Sequence, residues 1–128
     1  MNASFIRWRD HFAANPLFQS TQQDGFSVNG VSVSATSNPD VLAFSFTTEL
    51  PPWLDDLQTS NKLASDLQHE HPGIKVLYED DPVKYGLYIK LVHECYLTGM
   101  EDISPAFIAI VHQLRRAYDD FLEHYAPL

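Results

Sequence analysis

A chain of 128 residues has room for one hydrophobic core, and at 45% hydrophobic and 12% aromatic it is far too apolar for a disordered segment. Its 17 acidic against 8 basic residues give a formal charge of −9, which repels phosphate backbones and anionic lipid and so excludes nucleic acid and membrane surfaces as expected partners. Cys95 is the one cysteine; an intrachain disulfide is excluded, and the expected compartment is the cytoplasm.

A single domain is expected over the whole chain. No run of about 18 apolar residues is present to span a bilayer. Arg7, Arg9 and Asp10 interrupt the apolar residues near the N-terminus, so no signal peptide is expected.

Phe5, Trp8 and Phe12 recur at helical spacing between Ala3 and Phe12, and Asn15-Pro16 supplies a stop, which predicts a short first helix. Phe26 and Val28, then Val31 and Val33, alternate with polar residues on either side of Asn29-Gly30, a pattern for two strands joined by a tight turn. After the turn cluster Ser37-Asn38-Pro39-Asp40, residues Leu42, Phe44 and Phe46 point to one face of a third strand.

Pro51-Pro52 ends that strand, and Asp55 and Asp56 suit the first turn of a second helix running to about Gln68. Its face of Trp53, Leu57, Ala64 and Leu67 is shared with Ser60 and Asn61, which places a polar group toward the interior or a partner. His71-Pro72-Gly73 ends the helix. A short strand through Ile74, Val76 and Tyr78, a charged turn from Glu79 to Lys84, and a long strand from Tyr85 to Leu97 make the next hairpin. In the last helix Ser104 is the expected N-cap and Pro105 the first helical residue, and Phe107, Val111, Leu114, Tyr118, Phe121 and Tyr125 form its apolar stripe. Ile108, Ile110, Ala117 and Leu122 widen that stripe toward either a broad core face or a second surface.

Candidate chemistry is sparse. His69-Glu70-His71 lacks the spacing of a structural zinc site, and its members point to different sides of a helix end. His93 and Cys95 share a strand face, but neither an orienting group nor an oxyanion site accompanies them. Glu79-Asp80-Asp81 reads as a solvated turn, and the five glycines form no phosphate loop. No enzymatic activity, metal or cofactor is therefore expected.

The expected class is α+β, an antiparallel sheet in the order α-β-β-β-α-β-β-α with the helices packed on one face. The stretches Ser60-Asn61-Lys62-Leu63-Ala64, Ile74-Lys75-Val76-Leu77-Tyr78, Tyr85 to Leu97 and Thr98-Gly99, followed by the terminal helix, resemble two related families. These are the class I type III secretion chaperones of the CesT/Tir chaperone type and the YbjN domain. The resemblance implies a non-enzymatic homodimer that holds an extended segment of another polypeptide, an effector or a regulator. Open sheet faces or edges offer one way to hold it.

Phe5, Trp8, Phe12, Tyr85, Tyr88 and Leu97 are the candidate partner contacts, and Ile108, Leu122 and Tyr125 the candidate dimer contacts. Every one of them also sits at core spacing, and that reading is preferred residue by residue. Two alternatives come from other classes: a small thiol-dependent hydrolase or transferase using Cys95, and an acidic immunity-type inhibitor of a basic toxin.

Overall fold

Alternation of large apolar with small polar residues from Phe26 to Phe46 builds the centre of the molecule as a meander. The computed structural model describes residues 3–22, 24–49, 57–81 and 86–125. The elements are α1 (Ala3–Phe12), β1 (Phe18–Gln22), β2 (Gly25–Val28), β3 (Val31–Ala35), β4 (Val41–Glu49), α2 (Leu57–Glu70), β5 (Ile74–Asp81), β6 (Gly86–Tyr96) and α3 (Ile103–Tyr125). Among the described residues, six strands form one antiparallel sheet in the order β1-β2-β3-β4-β6-β5.

The expected α+β class holds, with one strand more than the sequence predicts. Phe18–Gln22 carries a single large apolar residue and shows no alternation of its own. It becomes β1 by pairing with β2, where Phe18 stands opposite Val28 and stacks on Phe26 with centroids 5.5 Å apart. The Asn29-Gly30 turn is as expected: φ is 53° at Asn29 and 82° at Gly30. Positive φ at both central residues gives a turn whose twist matches the strands, and Val28 pairs with Val31 across it.

Two boundaries move. Glu79–Asp81 continue β5 instead of forming a turn, because long β6 supplies backbone partners as far as Gly86. The last helix begins at Ile103, so Asp102 and not Ser104 stands at its N-cap position, and the Ala106 N–H donates to the Asp102 carbonyl. Pro105 is tolerated in the first turn because N–H groups there have no intrahelical acceptor to lose. Ser104 instead meets His11 Nε2 at 2.9 Å, tying α3 to α1.

Phe26, Val28, Val31, Val33, Leu42, Phe44, Ile89 and Leu91 share one sheet face and are buried. The described packing of all three helices is on that face. Trp8 of α1 meets Phe44 edge-on at 5.2 Å, Leu67 of α2 joins the core cluster, and Tyr118 of α3 meets Phe46 at 5.5 Å. None of the helices among the described residues is long and apolar enough to cross a membrane.

A polar clasp locks α1 to the loop before α3. Glu101 Oε1 accepts from Arg7 Nη1 at 2.7 Å and Trp8 Nε1 at 3.1 Å, while its Oε2 accepts from Thr98 Oγ1 at 3.0 Å and the Gly99 N–H at 2.9 Å. Arg7 Nη2 also donates to the Glu101 carbonyl. The left-handed φ of Gly99, 80°, carries the loop around the carboxylate.

Candidate functional site

With the described helices on one face, the other sheet face is left to the strands' own side chains. Strict alternation assigns its side chains. Ser27, Ser32 and Ser45 stand side by side across β2, β3 and β4, and Val92 and Lys75 extend the row across β6 and β5. Along β6 the residues on this face are Tyr88, Lys90, Val92, Glu94 and Tyr96. Tyr96 is 77% exposed, and Leu77 of the neighbouring β5 is 48% exposed. Lys75 and Glu94 bridge the two strands at 3.4 Å. The face thus joins a smooth serine half to a half bearing aromatic, aliphatic and paired charged groups.

The sheet edges offer less. At β5 the Val76 N–H already donates to Gln68 Oε1 of α2 at 3.2 Å, so the helix blocks strand addition at that point. The opposite edge, β1, is five residues long and its register shifts between Ser20 and Gln22. Short, irregular edges are poor templates for an added strand.

The residues singled out in the sequence scatter. Phe5, Trp8 and Phe12 are buried in the chain's own core because α1 lies against the sheet with these side chains inward, and Leu97, just after β6, is buried in the same core, so none of the four is displayed to a second polypeptide. Tyr88 does lie on the open face, half-buried. Tyr85 falls outside the described residues, as do Trp53 and the side chains of Ser60, Asn61 and Tyr125. Leu122 packs partly buried against the core. Ile108 stands apart: it is 56% exposed and lines a groove of about 300 Å³ with Val28, Val31, Phe107 and Val111. Tyr96 and Leu77 were missed in the sequence, although their places on the polar side of the alternation were visible there.

Among the described residues, no buried side-chain polar atom lacks a hydrogen-bond partner, so none waits in the interior for a ligand. Cys95 faces the core side of β6, half-buried, and its thiol donates to the Tyr96 carbonyl at 3.5 Å. Burial pushes its pKa up, and the negative charge of Glu101 pushes it further. Both effects disfavour the thiolate that a nucleophile needs. His93, two residues away, donates from Nδ1 to the Gly73 carbonyl at 3.1 Å, a backbone contact. Native Cys95 is therefore expected to react with an aromatic disulfide reagent at pH 7 about tenfold or more slowly than free cysteine, with full reactivity returning in denaturant. A native rate equal to that of free cysteine would restore the thiol-enzyme alternative.

No family model matches the chain, and no curated protein matches it by sequence. Among solved structures it is similar to YbjN of E. coli, described as a candidate transcription regulator, with a TM-score of 0.56 and 11% identity over 93% of this chain and 86% of that one. That likeness supports the YbjN side of the resemblance drawn from the sequence and not the secretion-chaperone side. At so low an identity it speaks for architecture alone, and the chain has a YbjN-like fold.

Proposed function

We propose that this chain is a non-catalytic adaptor that binds an extended segment of another polypeptide across the open face of its sheet. The observation that carries the reading is that Tyr96 of β6 and Leu77 of β5, both exposed, lie on the sheet face away from the described helices. A rigid, exposed aromatic can bury area on a partner at low entropic cost. The charge of −9 favours a segment carrying basic residues. It also favours a regulator that acts through protein contacts over one that grips DNA, which bears on the description attached to YbjN. The same proposal makes the chain a homodimer through Ile108, an exposed knob beside its own groove, because a two-fold axis sets each knob into the partner's hollow.

Selection of random extended peptides on the immobilised chain tests both parts. Selected peptides are expected to bind Tyr96→Ser and Leu77→Lys about tenfold or more weakly, while Ile108→Asp yields a monomer that still binds them. Peptides that bind all three variants equally would place recognition elsewhere. An Ile108→Asp protein with unchanged solution mass would remove the dimer.

A further inference from the structure

We propose that Glu70, His71 and Asp120 form a binding site for one divalent transition-metal ion, with Zn²⁺ as its natural probe. One potential ligand atom from each of the three lies within 4.8 Å of the others. They come from two parts of the chain: Glu70 is the last residue of α2 and His71 follows it, while Asp120 lies near the C-terminal end of α3. The three line one side of a cleft of about 490 Å³ closed by Pro72, Ile74, His93 and residues of α3.

The cleft is built, and does not arise from chance neighbours on one helix. The His71 N–H donates to the Leu67 carbonyl at 2.9 Å and the Ile74 N–H to the His71 carbonyl at 3.2 Å, while Gly73 turns the chain into β5 with φ of 93°. This fixes the ring of His71 toward α3, where its Nε2 lies 2.7 Å from Asp120 Oδ2. A carboxylate only accepts, so Nε2 carries the hydrogen, and metal binding would replace that proton at the same nitrogen. Two ligands held at about 2.1 Å in a tetrahedral site stand roughly 3.4 Å apart. The His71–Asp120 pair must therefore open slightly and Glu70 swing in by up to about 1.4 Å, movements within the torsional freedom of a carboxylate at a helix end.

Charge and donor type select the ion. Glu70 and Asp120 bring two carboxylates to one imidazole, and a divalent cation relieves their repulsion. Arg116 on the same wall offsets only part of that negative charge. The imidazole favours zinc and its first-row neighbours over Mg²⁺ and Ca²⁺, which take oxygen donors. His93 lines the cleft with its Nδ1–H held by the Gly73 carbonyl, so in the neutral ring Nε2 keeps the lone pair. It stands outside the three-residue cluster and is assigned no ligand role.

Calorimetric titration of the chelator-treated chain with Zn²⁺ is expected to give one ion per chain. His71→Ala and Asp120→Asn should each weaken binding about tenfold or more, while His69→Ala and Cys95→Ser leave it unchanged. Millimolar Mg²⁺ should not compete. In case the variants unfold, Co²⁺ added to the unmodified chain provides a second reading: paramagnetic broadening should centre on His71 and Asp120. Absence of stoichiometric binding, retention of affinity in both variants, or broadening centred elsewhere would overturn the site. So would binding of inorganic phosphate in place of zinc that is lost in Arg116→Ala.

Discussion

Trp8→Ala is expected to cost about 4 kcal/mol of stability, a large share of what a domain of this size possesses. Trp8 has no exposed surface and sits edge-on against Phe44, itself fully buried on β4 between β3 and β6, with Phe12 tilted against it at 6.3 Å. Truncation removes the transfer free energy of an indole and leaves a cavity between α1 and the sheet that neither rigid element can collapse to fill. It also deletes the Nε1–H that reaches Glu101. Trp8→Phe separates the two effects, since it keeps most of the ring packing and loses the donor. That variant should lose about 1–2 kcal/mol. Urea unfolding measures both: the midpoint should fall in that order while the slope stays constant. A midpoint for Trp8→Ala within experimental scatter of the parent would mean that α1 is not part of the cooperative core.

The same helix shows how far the sequence could be read. Phe5, Trp8 and Phe12 announce a helix through local spacing. Whether they face inward or toward a partner depends on the distant residues they meet, Phe26 and Phe107 for the two phenylalanines and Phe44 and Glu101 for Trp8, and no local signal carries that. The Asn29-Gly30 hairpin and the alternation of Leu42, Phe44 and Phe46 were legible because turn chemistry and the period of two are properties of a few adjacent residues. Strand β1 was not, since its extended state comes from pairing with β2. The open face was half legible. Alternation places Tyr88 and Tyr96 on one side of β6, but only the sheet order reveals that they stand opposite Glu49 and Val41 of β4 and that the described helices all lie on the other face. His71 and Asp120 are 49 residues apart, and their meeting follows from the packing of α2 against α3.

Those long-range polar contacts also set the acid limit of the fold. Burial by itself would raise the pKa of Glu101. The hydrogen bonds it accepts from Trp8, its own backbone, Thr98 and Gly99 outweigh that and hold it at about 2, against 4.5 for the free group. Above about pH 5 the carboxyl is ionised in folded and unfolded chains alike, and the clasp contributes in full. As pH falls below 4.5, the unfolded chain takes up a proton that the folded chain refuses, and stability declines until the folded carboxyl protonates near 2. The full shift corresponds to roughly 3 kcal/mol, and solvent screening around the carboxylate reduces this to about 2 kcal/mol.

Glu101→Gln should remove this term and flatten stability between about pH 5 and 2. Its amide can still accept from Trp8 and Arg7 through the oxygen. The NH₂ group then faces the Gly99 N–H, donor against donor, so a loss of about 2 kcal/mol at pH 7 is expected as well. Urea midpoints measured from pH 7 to pH 3 check both statements. The parent should weaken on acidification much more than Glu101→Gln, and parallel profiles would assign the acid sensitivity to other carboxylates.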